Sequence, residues 1–559
     1  MSKDKFALGI DYGTESGRVV VIRVRDGKLM ASAVIPYPDG VIDERLPGGP
    51  KLEPDWALQN PLDYLYVLEK GVPKALKEAK VKAEDVIGLG TDFTASSPMP
   101  TKADGTPLCA VPQYRKHPHA YVKLWKHHAA QAEANRINEV GRERNEEFIR
   151  IYGGKYSSEW FFSKLLQVLD EAPDVYDAMD RFIEAADWIV WQMTGEEKRN
   201  TCTAGYKAMW VKGRGFPSRD FYRALHPRLE NVIADKVGEK FHPLGAKAGG
   251  LTALWAKKTG LREGTPVSIG NVDAHVAVPA CTVTQPGSLV MIMGTSICHM
   301  LLGKERQMVE GMCGTVEDGI VPGLWGYEAG QSAVGDIFAW FFEHGVPDYI
   351  HRDARKMKAP FQVALEKRAA VLKPGQSGLV ALDWWNGNRS ILVDVDLTGV
   401  LLGMTLATRA EEIYRALIEA TAFGTRTIVE AFESKGIAVH ELVACGGLPE
   451  KNRLLMQIYA DVTGREIKLA DPLQTCSALG SAMHGAVAAG HPAGGYDSIF
   501  EAAQHMARVQ KLTFKPRAEN HAIYDQLFTE YHTLHDYFGR GANDVMKRLK
   551  ALKREMAAH

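Results

Sequence analysis

The strongest constraint on the fold is a pattern that occurs twice, in separate halves of the chain: an apolar strand, a Gly-Thr turn and a second apolar strand. Residues 6–10 and 19–24 flank the first turn, and residues 288–293 and 297–302 flank the second. Each copy predicts a β-hairpin, because apolar and β-branched runs on both sides of a glycine turn are typical of one. The repetition indicates a weak internal duplication.

The turns of these hairpins are candidates for phosphate binding. They contain Gly13 and Thr14 in the first hairpin and Gly294 and Thr295 in the second. Backbone N–H groups and hydroxyls in such turns can bind phosphate oxygens, and Asp11 at the strand end could hold Mg²⁺ through water. The same residue types are common in hairpin turns without a ligand, so both interpretations stay open at this point. The chain contains no G-x-x-x-x-G-K-[ST] motif, which argues against P-loop chemistry.

Asp273 is the candidate catalytic residue. It follows a β-branched run at residues 265–269 that predicts a buried strand, and ligands of α/β proteins usually bind at strand ends. A carboxylate at that position could act as the general base for a substrate hydroxyl. Aspartate is also favoured as a helix N-cap, and the Ala-rich sequence that follows allows this structural interpretation as well.

Other candidates lie in loops that contain small residues or lone charges. Ala95 and Ser96 follow a predicted strand at residues 86–93 and would let a ligand approach the backbone. Lys207 and Glu328 each stand alone among aromatic and small residues, and charges of this kind need partners when they are buried. Without further support, each could equally be an ordinary loop residue or, for the lysine, a side chain that reaches the surface.

Gly446 and Gly447 lie between a predicted strand at residues 441–444 and a predicted helix at residues 454–463. A glycine pair there leaves room for a flat base or a ribose against the backbone, but glycine is also common in ordinary βα turns. Four histidines crowd residues 117–128 without a cysteine or an H-E-x-x-H motif, so we expect a solvated helix rather than a zinc site.

The composition limits the class of protein. A chain of 559 residues is too long for one core and predicts at least two domains. The formal net charge of -1 gives no global field to attract nucleic acid or a membrane surface. The seven cysteines are scattered without a C-x-x-C pair, which argues against a disulfide framework or a structural zinc. No signal-like or membrane-spanning apolar run occurs, so we predict a cytoplasmic protein with neither nucleic-acid nor membrane partners.

Taken in order, the motifs resemble those of the FGGY family of carbohydrate kinases. The first phosphate loop is matched by Asp11, Gly13, Thr14 and Arg18, the second by Gly294 and Thr295, and the adenosine motif by Gly446, Gly447 and Asn452. Asp273 falls where the family places its catalytic aspartate. Residues 399–404 and 412–419 fit the C-terminal signature, and residues 385–389 resemble its aromatic-x-Gly-Glu-Arg stretch, with Asn388 where glutamate is typical.

The resemblance implies an α/β, two-domain, actin/hexokinase-like (ribonuclease H-like) ATPase fold with a central interdomain cleft. An N-terminal domain, residues 1–284, would bind the sugar and carry the first phosphate loop. A C-terminal domain, residues 285–559, would carry the second phosphate loop and the adenosine motif.

The resemblance also implies ATP and Mg²⁺ as cofactors and Asp273 as general base, with L-ribulose converted to L-ribulose 5-phosphate in L-arabinose catabolism. The implied sugar contacts are Ala95, Ser96, Lys207, Asp273 and Glu328; the implied nucleotide contacts are Asp11, Gly13, Thr14, Arg18, Gly294, Thr295, Gly446, Gly447 and Asn452; the implied Mg²⁺ contacts are Asp11, through water, and Asp273. A homodimer is left open. The alternatives are a kinase for xylulose, ribitol or glycerol and, in another class, an actin- or chaperone-like ATPase.

Overall fold

Two mixed seven-stranded sheets, one in each half of the chain, organise the fold. The computed structural model describes residues 4–558. The strands are β1 (Phe6–Tyr12), β2 (Ser16–Arg23), β3 (Leu29–Pro36), β4 (Leu58–Gln59), β5 (Val86–Phe93), β6 (Pro98–Thr101), β7 (Val122–Lys123), β8 (Arg181–Glu184), β9 (Arg199–Asn200), β10 (Phe241–His242), β11 (Lys247–Gly250), β12 (Pro266–Ser268), β13 (Asn271–Val272), β14 (Ser288–Met293), β15 (Ile297–Gly303), β16 (Gly314–Glu317), β17 (Trp325–Gln331), β18 (Val380–Leu382), β19 (Val400–Leu402), β20 (Glu441–Gly446), β21 (Ile467–Asp471) and β22 (Arg508–Phe514).

Helices cover these sheets and connect their strands. They are α1 (Pro61–Ala79), α2 (Gln131–Glu143), α3 (Glu147–Ile151), α4 (Phe161–Glu171), α5 (Pro173–Ala178), α6 (Ala185–Thr194), α7 (Thr201–Lys207), α8 (Arg219–Leu225), α9 (Ala253–Thr259), α10 (Asp273–Ala280), α11 (Gly335–His344), α12 (Asp348–Met357), α13 (Phe361–Ala370), α14 (Ala410–Glu433), α15 (Gly447–Lys451), α16 (Arg453–Thr463), α17 (Cys476–Ala489), α18 (Ile499–Met506), α19 (Ala518–Gly539) and α20 (Val545–Ala558). Within residues 4–558, no helix combines the length and the apolar composition that crossing a membrane requires.

The two sheets place their hairpins in the same way. In the first sheet the order is β11-β12-β5-β1-β2-β3, with β13 also paired to β5; in the second it is β16-β17-β15-β14-β20-β21-β22. The strand that enters each hairpin, β1 or β14, pairs antiparallel with the strand that leaves it and parallel with a strand from farther along the chain, β5 or β20. Both predicted hairpins are therefore confirmed, and each turn lies at the carboxyl end of a buried parallel pair.

Helix α17, from the second half of the chain, packs directly on strands β1 and β5 of the first sheet. Glycines in these strands make the close approach possible: a Cβ at Gly9 would overlap the carbonyl oxygen of Ala478, and a Cβ at Gly90 would overlap that of Ser481. One apolar core contains residues from both halves, including strand β2 and helix α17. Helix α17 therefore completes the core of the first sheet, although it belongs to the second half of the chain.

The histidine-rich segment is not the solvated helix that we predicted. It contains a single 3-10 turn, Pro118–Ala120, followed by the two-residue strand β7. His119 and His127 are buried, and both rings pack edge-on against Trp56. Burial lowers the pKa of His119 to about 3 and that of His127 well below its ordinary value, so both rings are neutral parts of the core. Tertiary packing overrides the polar appearance of this segment.

Candidate active site

Three carboxylates meet at the strand ends of the first sheet. Asp11 in β1 and Asp92 in β5 are direct partners in the parallel register of these strands. Strand β13 also pairs with β5, and Asp273 follows β13 as the first residue of α10. The topology therefore brings residues from three distant segments to one edge. Asp273 is the first residue of α10, but Val272 is the N-cap and no side-chain cap bond forms there, so the interpretation of Asp273 as a helix cap is wrong.

The ionised forms of the three carboxylates are disfavoured in this cluster, so all three pKa values are raised. Burial raises the pKa of Asp92 well above its ordinary value, and the charges of Asp11 and Asp273 raise it further, against the opposing effect of a hydrogen bond that Ser481 Oγ donates at 2.5 Å. Burial, with a contribution from Asp11, raises the pKa of Asp273 to about 7, although the Ala274 N–H donates to Asp273 Oδ1 at 2.6 Å. Burial also raises the pKa of Asp11.

The cluster fits a divalent cation of the Mg²⁺ type. Such cations prefer carboxylate oxygens, and the three carboxylates here interact electrostatically. Among the described residues their oxygen atoms do not all lie within 4.8 Å of one another, so water would have to complete the coordination. The Oδ1 atom of Asp92 is buried and has no hydrogen-bond partner among the described residues. A cation would supply the missing partner and would offset the repulsion that adds to the effect of burial on the pKa values of Asp92 and Asp273.

A buried ion pair joins the two halves of the chain next to this cluster. Lys207 Nζ, at the end of α7, donates to both carboxylate oxygens of Glu328 in β17, at 2.8 and 2.9 Å. The two residues are only 4% and 8% exposed, and His275 Nε2 lies 3.4 Å from Glu328 Oε2. Burial alone would raise the pKa of Glu328, but the charge of Lys207 and the nearby His275 lower it to about 2. The pair is therefore fully ionised.

The loop after β5 is held in place by two further buried charges, Glu184 and Lys164. Ser96 donates its hydroxyl hydrogen to Glu184, whose other oxygen accepts the Ser97 N–H at 2.7 Å. Lys164 Nζ donates to the Ser96 carbonyl at 2.8 Å. Ala95 is partly buried and packs with the small apolar group that contains Val272, directly before Asp273. The hydroxyl of Ser96 is thus engaged by protein, whereas the methyl group of Ala95 borders the site.

The first hairpin turn is fixed by contacts from elsewhere in the chain. Trp125 Nε1 donates to Thr14 Oγ1 at 3.1 Å, and Gln59 Nε2 donates to the Thr14 carbonyl at 2.6 Å. Arg18 Nη1 donates to the carbonyl of Gln474, in the second half, at 2.9 Å. These contacts leave the backbone N–H of Thr14 without a partner in the described residues, as a phosphate-binding turn requires.

The second hairpin turn lies against the start of helix α11. The carbonyl oxygen of Thr295 accepts from Val334 N at 2.8 Å, and that of Gly294 accepts from Gly335 N at 3.2 Å. Both turn residues are otherwise exposed. A helix N-terminus beside such a turn adds a positive electrostatic potential, which favours an anion.

The glycine pair after β20 has two different surroundings. Gly446 has a φ of 101°, and a Cβ there would overlap the carbonyl of Met293. Gly447 has open space around it. Asn452 is buried; its oxygen caps helix α16, and its amide nitrogen donates to the Tyr414 hydroxyl at 2.8 Å. Both ends of the Asn452 side chain are therefore occupied by protein contacts.

Residues that the sequence interpretation did not single out also line this region. Asp92 is the clearest example. Like Asp11, it stands one residue before the end of an apolar strand, and this pattern can be read from the sequence alone. Arg389 Nη2 donates to Glu159 Oε1 at 3.2 Å, across the two halves, and its guanidinium lies over the Trp125 ring. No sequence spacing connects Glu159 with Arg389.

Comparison with known proteins decides the family. The models of the N-terminal and C-terminal domains of the FGGY family of carbohydrate kinases match residues 6–279 and 289–489, respectively. The chain belongs to the FGGY family of carbohydrate kinases. Two curated FGGY relatives are named ribulokinase: that of Halalkalibacterium halodurans is 61% identical over 98% of both chains, and that of Geobacillus thermodenitrificans is 60% identical over 98% of this chain and 97% of the relative.

Solved FGGY-type structures share the fold at low sequence identity. A xylulose kinase from Rhodospirillum rubrum aligns with a TM-score of 0.76 at 21% identity, covering 95% of this chain and 98% of its own. A gluconate kinase from Lactobacillus acidophilus aligns with a TM-score of 0.79 at 17% identity, covering 96% and 99%. The two-domain actin/hexokinase-like fold expected from the motifs is confirmed.

Proposed function

We propose that this chain phosphorylates L-ribulose at its terminal hydroxyl, with ATP as donor, to give L-ribulose 5-phosphate in L-arabinose catabolism. The proposal is supported by the curated relatives named ribulokinase, which align over nearly the whole chain. The structural observation that carries it is the position of Asp273, whose pKa responds both to Asp11 beside the first hairpin and to the Lys207–Glu328 pair.

Asp273 acts as the general base. It accepts the proton of the sugar's terminal hydroxyl as that oxygen attacks the γ-phosphorus; the bond from this phosphorus to the bridging oxygen breaks, and ADP leaves. A base is most efficient when its pKa lies near the operating pH, and burial raises the pKa of Asp273 to about 7. Alignment and charge neutralisation carry most of the catalysis in phosphoryl transfer.

The sugar is bound by the ion pair and the loop after β5. Lys207 donates to sugar oxygens and Glu328 accepts from sugar hydroxyls, and each residue holds the other in place. Ala95 gives the ketose room to approach. The hydroxyl of Ser96 already donates a hydrogen bond to Glu184, so Ser96 is proposed to act by holding its loop in position rather than by contacting the sugar.

The nucleotide lies between the two hairpin turns and the glycine pair after β20. Gly13, Thr14, Gly294 and Thr295 bind phosphate oxygens, Arg18 and Asn452 keep these loops in place, and Gly446 and Gly447 leave room for adenosine. Asp11, through water, and Asp273 would hold Mg²⁺, which when bound neutralises phosphate charge; Asp92 is a third carboxylate at the same edge.

A sugar panel in an ADP-coupled assay tests the substrate, and Asp273→Asn tests the mechanism. L-ribulose is expected to give the highest kcat/KM among L-ribulose, D-ribulose, xylulose, ribitol and glycerol. Asp273→Asn is expected to lower kcat by about 10²-fold or more, because general-base catalysis contributes about that much. Near wild-type turnover would remove Asp273 from the mechanism, and ATP hydrolysis that ignores every sugar would favour an actin- or chaperone-like ATPase.

Cytoplasmic location and a homodimer stay predictions. Light scattering of the purified chain gives its molar mass in solution and so tests whether it is a homodimer.

A further inference from the structure

Three buried cysteines from distant parts of the chain meet beside the glycine pair after β20. They are Cys281, Cys445 and Cys476, and their Sγ atoms all lie within 4.8 Å of one another. Their exposed fractions are 0%, 1% and 3%. All seven cysteines of the chain are free, but only these three, among the described residues, form such a group.

Each cysteine belongs to an element that serves the proposed active site. Cys281 directly follows helix α10, which begins at Asp273. Cys445 is the residue before Gly446 in strand β20. Cys476 is the first residue of α17, the helix that packs on β1 and β5. A ligand bound by all three sulfur atoms would connect the base, the nucleotide loop and the junction between the two halves.

The geometry suits a small thiophilic ion. With a metal–sulfur distance of about 2.3 Å, three sulfur atoms around one ion lie about 4 Å apart. The observed upper limit of 4.8 Å therefore needs a closure of less than 1 Å. No carboxylate or imidazole belongs to the group among the described residues. Sulfur-only donor sets select soft ions over Mg²⁺ and Ca²⁺.

The environment of the three sulfur atoms excludes water. The surrounding residues belong to the apolar core shared by the two halves. Gln474, two residues before Cys476 in the chain, is exposed.

Cysteine often fills a core as a small apolar side chain, and Cys109 is an example in this chain. Core packing alone does not require three sulfur atoms from three separate elements to converge. We propose that Cys281, Cys445 and Cys476 form a binding site for one thiophilic d¹⁰ metal ion. Binding displaces up to three thiol protons to solvent and forms three metal–sulfur bonds, with no change of oxidation state.

Cadmium is a suitable probe, because its thiolate complexes absorb in the ultraviolet by charge transfer. The full chain, reduced and freed of metal, is titrated with Cd²⁺ under anaerobic conditions. The band is expected to saturate at one Cd²⁺ per chain. In Cys281→Ser and Cys445→Ser the affinity is expected to fall by about 100-fold or more, since even outer-shell partners of a metal are worth about 10–100-fold. The matched control Cys109→Ser, also a buried thiol, is expected to keep the wild-type titration.

X-ray absorption on the wild-type cadmium complex counts the sulfur ligands without any substitution, so the test does not depend on the variants folding. Three sulfur ligands support the proposal, and fewer than three overturn it. A wild-type chain without a saturable band overturns it as well, as does a band that survives unchanged in both cluster variants. The readout is independent of kinase activity, so the site can fail while the proposed function stands.

Discussion

Glu328→Gln is the sharpest test of the buried ion pair. The substitution keeps the size of the side chain and removes only its charge. Lys207 then stays buried with its cation unpaired, since the pair is held by two hydrogen bonds of 2.8 and 2.9 Å and no other carboxylate bonds to Lys207 Nζ in the described structure. An uncompensated buried charge of this kind costs about 3–5 kcal/mol.

The pKa of Glu328 gives an independent magnitude. Burial opposes the ionised form, yet Lys207 and His275 lower the pKa from 4.5 to about 2. At about 1.4 kcal/mol per pH unit, that difference corresponds to about 3 kcal/mol of stability. Because the folded-state pKa lies below the unfolded one, this contribution is fully present above about pH 5 and is lost as the pH falls towards 2. The two magnitudes agree.

Guanidinium unfolding of the wild type, Glu328→Gln, Lys207→Met and the double variant forms a double-mutant cycle. Glu328→Gln is expected to lose about 3–5 kcal/mol at pH 7. The double variant is expected to recover most of that loss, because no unpaired charge remains. The stability difference between wild type and Glu328→Gln is expected to shrink on acidification below pH 5. A Glu328→Gln protein as stable as the wild type, or a double variant as unstable as the single one, would refute the reasoning.

Two further substitutions test the packing and the first turn. Gly9→Ala is expected to lower the free energy of unfolding by about 3 kcal/mol, because its Cβ overlaps the Ala478 carbonyl; the control Gly447→Ala, in open space, is expected to stay within about 0.5 kcal/mol. Equal effects in both would contradict this. Trp125→Phe removes the hydrogen bond to Thr14, worth about 1 kcal/mol, so KM for ATP is expected to rise about fivefold in steady-state assays; an unchanged KM would exclude Trp125 from holding the turn.

Local sequence signals located the two hairpins and their strand ends. Strands β5 and β14 occur at the bounds predicted from their apolar and β-branched residues, and the strand that carries Asp11 is only two residues longer than predicted. These elements are short and apolar, and a glycine turn follows β1 and β14, so local chemistry decides them. Strand pairing between distant segments does not have such a signal. The register of β1 with β5, which puts Asp11 beside Asp92, therefore emerged only from the structure.

The rest of the site depends on contacts between distant residues. Lys207 and Glu328 were singled out as lone charges that need partners when buried, but nothing in the sequence indicated that they bond to each other. The cysteines were correctly described as scattered along the chain, yet three of them converge in space, because strand β20 and the ends of α10 and α17 meet there. The prediction for the histidine-rich segment was wrong for the same reason, because packing around Trp56, rather than local polarity, decides the conformation of this segment.

Helix α17 connects these observations. The glycines of β1 and β5 let it lie against the strands that end in Asp11 and Asp92, and its Ser481 hydroxyl donates directly to Asp92. A displacement of the helix must therefore move a hydrogen-bond partner of the carboxylate cluster as well as the core that both halves share. Since closely packed interfaces switch between discrete positions rather than deform, we expect the helix and the cluster to move as one unit whenever the two halves change their relative position.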